Sequence, residues 1–261
     1  MLIRYGWLIA NYHRGFTSNS RLVIWLLGMP GIPGRTTDQD YASFLSVWCD
    51  IVTPEYYWFG RSDGDFTPDN CLQTVIDTYH YFRQWWTVKD IWSKEEFMIA
   101  PYQEIIVIWS SFGAAFASRV VQQIPEIIKI WFMSWAIEYS NMNEIWYPEE
   151  TAEEVKRVLE EWWFAHMYRS ATSSDRDIFY QDQRWQSYGE MIQDLSAKNV
   201  FIVHGDSDEC VHVGRSRKLY EQLQSANPSW DHTYLEIPKW WHGGMTKQIG
   251  VVEFCKWLNW R

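Results

Sequence analysis

The sequence predicts an α/β protein, with a mostly parallel central sheet and helices on both faces. Three observations lead there. Short apolar runs alternate with helical patterns, as in chained βαβ units. The runs are almost continuously apolar, which suits strands covered on both faces. The chain is 261 residues long; domains usually run to roughly 100–200 residues, and α/β domains of about 250 are common. The expectation is a single domain over 1–261.

Gly6-Trp7, between two apolar runs, reads as a hairpin turn. The strand candidates are Leu22–Leu27, Trp48–Thr53, Ile105–Trp109, Ile127–Met133, Val200–His204 and Thr233–Ile237, each an apolar run too short for a helix. The intervening helix candidates are Asp38–Val47, Asn70–Trp86, Phe112–Gln123, Gly214–Ser225 and Thr246–Leu258. Segment Glu138–Gln193 breaks this rhythm. It holds a capping box, Thr151-x-x-Glu154, ahead of Val155–Tyr168, then a polar stretch, Ser170–Asp177. It reads as a small helical insertion, about 138–193, forming a partial cap.

Charge and cysteine usage exclude several function classes. Lys and Arg total 23 against 33 Asp and Glu, a net charge of −10. That balance repels a phosphate backbone, and no basic cluster offsets it locally, so nucleic acid and anionic membranes are poor partners. No run reaches the roughly 18 apolar residues of a membrane span. Met1-Leu2-Ile3-Arg4 opens no signal peptide, and the expected location is the cytoplasm. Cys49, Cys71, Cys210 and Cys255 form no CxxC pair and have no histidine at ligand spacing. They read as buried or half-buried thiols in a reducing compartment, so no metal is expected.

The chemistry-bearing residues fall at strand ends. Ile105–Trp109 runs into Ser110-Ser111-Phe112-Gly113 and then a helix. A serine on a sharp strand-to-helix turn projects its hydroxyl at the carboxyl edge of the sheet. The next backbone N–H, at the helix start, can stabilise an oxyanion. On this turn alone, Ser110 and Ser111 serve equally well as helix caps. Two later segments tip the balance. Val200–His204 ends in Gly205-Asp206-Ser207-Asp208, and Thr233–Ile237 ends in Pro238-Lys239-Trp240-Trp241-His242. A serine nucleophile needs a base to take its proton, and the base needs an acid to set its tautomer. The order Ser111, Asp208, His242 places all three just beyond parallel strands, where open α/β sheets bind ligands. Asp206 and Glu209 are rival acids on these grounds.

Several motifs together resemble the α/β-hydrolase-fold serine hydrolases from about Leu22 to Leu258. Gly28-Met29-Pro30-Gly31 resembles the family's oxyanion loop, with Leu27 where histidine is common. Gly60-Arg61-Ser62-Asp63-Gly64 resembles the loop after the next strand. His204-Gly205-Asp206-x-Asp208 resembles the acid segment, and His242-Gly243-Gly244 the histidine loop. The resemblance implies a Ser111–His242–Asp208 triad, with the N–H groups of Met29 and Phe112 as the oxyanion hole. It further implies an acyl-enzyme mechanism on a small-molecule acyl substrate without cofactor. An esterase-like hydrolase is expected ahead of a serine peptidase, and a non-catalytic binding protein on the same fold is the rival from another class. His204 and Arg61 then read as structural, His212 as a surface residue.

One departure stands out. The nucleophile turn reads Trp109-Ser110-Ser111-Phe112-Gly113, with tryptophan where the family pattern has glycine. A bulky residue there is expected to distort the turn and displace the Ser111 hydroxyl. The composition points the same way: 19 Trp against 14 Gly, where a usual glycine share of roughly 7% would supply about 18. Trp7, Trp58, Trp135, Trp240 and Trp241 also fall at turns. Codons UGA, glycine in some genetic codes and tryptophan in others, would produce this pattern if misread. UGG at Trp109 and Trp241 would overturn that hypothesis.

Overall fold

The computed structural model describes residues 1–15, 20–26, 28, 41–57, 59–64, 66–134, 157, 160–161, 188–209 and 211–259, and in it the apolar runs become an eight-stranded sheet. The predicted strands are β3 (Arg21–Leu26), β4 (Cys49–Pro54), β7 (Glu104–Ser110), β8 (Lys129–Met133), β9 (Asn199–Gly205) and β10 (His232–Ile237). The hairpin across Gly6 adds β1 (Leu2–Tyr5) and β2 (Leu8–His13). Strand order is β1-β2-β4-β3-β7-β8-β9-β10. β1, β2 and β4 pair antiparallel; from β4 through β10 every neighbour is parallel. A separate hairpin, β5 (Trp86–Lys89) and β6 (Glu96–Ile99), has no counterpart among the predicted elements.

Both faces of the parallel strands β3, β4, β7, β8 and β9 are covered, as their apolar character requires, and β10 at the edge is half-buried along its centre. Along β3, Leu22, Ile24 and Leu26 point to one layer, and Val23 and Trp25 to the other. The first layer is built by α2 (Pro68–Phe82), α3 (Ala117–Gln123), α4 (Tyr188–Leu195) and α5 (Gly214–Ala226), through residues such as Val75, Val120, Leu195 and Leu219. The second is built by α1 (Ala42–Ser46) and α6 (Met245–Asn259), through Phe44, Val251 and Phe254. Each fully buried aliphatic or Phe side chain contributes about 1.5–3 kcal/mol against conformational entropy.

Several boundaries differ from expectation, each for a local reason. The helix predicted to reach Trp86 stops at Phe82. There Arg83 turns its guanidinium onto the carbonyls of Tyr102 and Gln103 (2.6 and 2.9 Å), and Trp86 enters β5. The helix predicted from Phe112 opens as a 3₁₀ turn, Ser111–Phe116, before α3. Trp48, expected to start a strand, instead follows α1 with φ 64° and is 62% exposed. That is the left-handed position just past a helix C-cap, where glycine is the usual residue.

Cys49, Cys71 and Cys255 are buried free thiols, and burial pushes those of Cys49 and Cys255 up to about 12. Cys210, Met29, Trp58, Trp135 and nearly all of the predicted insertion Glu138–Gln193 lie outside the described residues; of the insertion, α4 and residues 157, 160 and 161 are within them. No helix among the described residues is long and apolar enough to cross a membrane.

Candidate active site

The predicted site residues that are described gather at the carboxyl edge of the parallel strands. β7 ends at Ser110, and Ser111 follows with φ 48°. A non-glycine residue in the left-handed region stores about 1–3 kcal/mol, and such strain clusters at functional sites. Here it turns the chain sharply from strand to 3₁₀ helix and leaves Ser111 half-buried rather than enclosed. The capping alternative for Ser110 does not hold. Its side chain makes no capping hydrogen bond, and its Oγ accepts from the indole N–H of Trp25 at 3.0 Å.

Gly28, at the end of β3, faces this turn. A Cβ placed on it would lie 3.0 Å from Ser111 Cβ and 3.7 Å from Ser111 Oγ. Gly28, the one described residue of the stretch that resembles an oxyanion loop, therefore lies directly against Ser111; Met29 is not described. Phe112 is buried beside the serine and packs edge-on to Tyr56 and Phe116, with ring centroids 6.1 and 5.1 Å apart.

Trp109 behaves differently from expectation. Its ring does not occupy the turn; it is fully buried in the layer that also holds Ile105 and Val107. The left-handed turn at Ser111 is kept. The misfit emerges as an indole N–H with no hydrogen-bond partner, a burden of about 1–3 kcal/mol for a buried donor.

The acid and the histidine arise from two loops stitched together. Gly205 ends β9, and a Cβ there would fall 2.2 Å from the Trp240 carbonyl oxygen, so only glycine lets the loops meet. Asp206 Oδ1 accepts from the Lys239 N–H at 2.6 Å, and the Ser207 N–H donates to the Trp240 carbonyl at 3.0 Å. Thr246, at the head of α6, donates its hydroxyl to the Trp241 carbonyl at 2.9 Å. This frame brings His242 Nδ1 to 2.7 Å from Asp208 Oδ2, across 34 residues of sequence. Of the three acids considered, Asp208 is the one that meets His242; Asp206 pins the loop, and Glu209 is exposed.

Asp208 is buried, and its Oδ1 accepts from the Val211 N–H at 2.9 Å. Burial pushes its carboxyl up. Hydrogen bonds and charge from His204 and His242 outweigh that and hold it well below the ordinary carboxylate range. It therefore stays ionised and can orient an Nδ1–H donor. His242 is itself half-buried, and among the described residues no hydrogen bond joins its ring to Ser111 Oγ.

The remaining motif residues support loops. Arg61 forks onto the buried carboxylate of Glu55, and Asp63 accepts from Arg4 at 2.7 Å. The Ser62 hydroxyl donates to the Glu55 carbonyl and accepts from the Ile9 N–H, both at 2.9 Å. His212, read as a surface residue, is half-buried and accepts from the Gly214 N–H at 3.1 Å, capping α5. His204, read as merely structural, is 3.0 Å from Asp208. The sequence signal for that contact was a histidine four residues before an acid at a strand end.

No family model matches the chain, and no curated protein matches it significantly. Solved structures do. Est1E from Butyrivibrio proteoclasticus, with ferulic acid bound, is 16% identical over all of both chains, with a TM-score of 0.68. An α/β hydrolase enzyme from the metagenome of Mar Chica lagoon sediments is 14% identical, with a TM-score of 0.58 over 99% of this chain and 96% of that one. A Pyrococcus furiosus esterase is 16% identical, with a TM-score of 0.60 over 99% and 87%. The chain has the α/β-hydrolase fold.

Proposed function

We propose that the protein is a serine hydrolase that cleaves an ester, thioester or amide through an acyl-enzyme, most readily a carboxylic ester. The observation that carries this reading is the Asp208–His242 hydrogen bond on the same sheet edge as a left-handed Ser111. The esterase among the fold relatives supports the substrate class as analogy of fold.

In this mechanism Ser111 Oγ attacks the acyl carbonyl carbon while His242 Nε2 takes the hydroxyl proton. Asp208 holds Nδ1–H and stabilises the imidazolium. The N–H groups of Phe112 and Met29 receive the oxyanion. The tetrahedral adduct collapses, His242 returns the proton to the leaving group, and the acyl-enzyme forms. Water, deprotonated by His242, then releases the acid. Apo enzymes often hold nucleophile and base apart until substrate draws them together, which accommodates the missing Ser111–His242 bond.

A fluorophosphonate probe tests the assignment. Labelling of the wild type but not of Ser111→Ala, with turnover of p-nitrophenyl esters, is the expected result. The second reading, a binding protein on this fold, draws on Trp109 in the turn and on the same missing bond. It wins if neither the wild type nor Trp109→Gly is labelled.

A further inference from the structure

The carboxylate assigned to hold His242 is itself gripped by another imidazole. His204, in β9, is completely buried. Its Nε2 lies 3.0 Å from Asp208 Oδ2 and 2.9 Å from the Val211 carbonyl oxygen. An ionised carboxylate and a carbonyl can only accept, so Nε2 carries the proton. Nδ1 lies 2.7 Å from Ser216 Oγ on α5, and that rotatable hydroxyl donates to it. The tautomer follows from the partners of Nε2.

We propose that His204, its ring held at Nδ1 by Ser216, is a positioning residue for the reaction: it locks the Asp208 carboxylate so that Oδ2 faces His242 Nδ1. The proposal rests on the serine-hydrolase reading for its catalytic consequence. Its physical basis is the side-chain torsion of aspartate, which is broad and only loosely two-fold, so the chain alone does not aim Oδ2. The Val211 N–H restrains Oδ1, and His204 Nε2, 3.0 Å away, restrains Oδ2. Releasing the second restraint lets Oδ2 swing by about 1 Å, a displacement that can cost on the order of 100-fold in rate. Substrate touches neither His204 nor Ser216, so the loss belongs in kcat.

Three variants test this. His204→Leu removes the donor and is expected to lower kcat by up to about 100-fold with KM unchanged. His204→Gln keeps an N–H near the Nε2 position and is expected to restore most of that loss. Ser216→Ala, the mildest to the fold, releases the ring at Nδ1 and is expected to cost roughly tenfold in kcat, within the same scale of misalignment. In parallel, NMR follows the far-downfield proton shared by Asp208 and His242, which needs neither substrate nor Ser111. That resonance should weaken or move in His204→Leu and Ser216→Ala and persist in His204→Gln. A fluorophosphonate that fails to label the wild type defeats the hydrolase reading, and the resonance still decides the positioning. Unchanged resonance in Ser216→Ala, or a His204→Gln protein that melts like the wild type yet performs no better than His204→Leu, overturns the proposal.

Discussion

The two halves of the candidate site are built on opposite principles. On the acid–histidine side, Asp208 accepts from Val211 and His242 and lies 3.0 Å from His204 Nε2, both His204 nitrogens are bonded, and Asp206, Ser207 and Thr246 tie the loops together. On the nucleophile side, Ser111 and Ser134, which follow the adjacent strands β7 and β8, are both left-handed, with φ 48° and 47°. The Ser134 hydroxyl and the indole N–H groups of Trp109 and Trp131 are buried without hydrogen-bond partners. One half is preassembled by satisfied polar groups, its left-handed Lys239 (φ 64°) tied through its N–H to Asp206; the other combines left-handed strain with unmet hydrogen bonds. Under the proposed hydrolase reading, such a site keeps His242 and Asp208 ready and concentrates its energetic cost around Ser111.

Breaking the strained half outright should give the largest effect. Ser111→Ala is expected to abolish fluorophosphonate labelling and lower ester turnover by on the order of 10⁴-fold or more. Ser111→Gly should be equally inactive yet melt higher, because glycine removes about 1–3 kcal/mol of left-handed strain. A Ser111→Gly protein that melts no higher would show that the elbow is not where strain is held.

Breaking the preassembled half comes next. Asp208→Asn is expected to cut kcat by roughly 10³- to 10⁴-fold, through the wrong imidazole tautomer. It should also remove a pH dependence. Because the folded carboxyl is held below its ordinary value, its stabilisation is fully present above the unfolded carboxylate pKa of about 4 and is lost as pH falls toward the depressed folded value. Wild-type melting temperature should therefore drop more steeply below about pH 4 than that of Asp208→Asn.

Trp109→Gly sharpens the contrast. Because the Trp109 ring lies in the core and the turn is kept, the substitution is expected to cost about 3–5 kcal/mol in thermal unfolding and to leave the rate of fluorophosphonate labelling within about 10-fold of the wild type. A rate slowed beyond that would mean that the buried ring supports the turn. The smallest effect, away from the site, is expected for Trp48→Gly. This exposed left-handed position gains about 1 kcal/mol in thermal unfolding, with turnover unchanged.

The two tryptophan substitutions also bear on the genetic-code hypothesis. Trp48 occupies a backbone conformation that favours glycine, and Trp109 leaves a buried N–H unpaired. Trp7, Trp240 and Trp241 do not show positive φ, so their backbones make no such demand. Among the described tryptophans at or beside a turn, the hypothesis thus narrows to positions 48 and 109, and UGG codons at both would sink it.

Much of the fold was legible because burial leaves a direct trace in sequence. Strands covered on both faces must be apolar throughout, and β3, β4, β7, β8 and β9 could be read on that ground, whereas β10, at the sheet edge, is half-buried along its centre. The hairpin of β5 and β6 could not, since Trp86–Lys89 and Glu96–Ile99 are short and largely solvent-facing. Serine, acid and histidine could be named in order because each follows a strand. The choice of Asp208 over Asp206 by contact and the left-handed backbone of Trp48 belonged to tertiary structure alone, and the grip of His204 on that carboxylate left only the trace of a histidine four residues before an acid. Periodicity records what each residue buries, whereas these features depend on which distant loops touch: Gly205 against Trp240, Asp208 against His242 and α5 against β9.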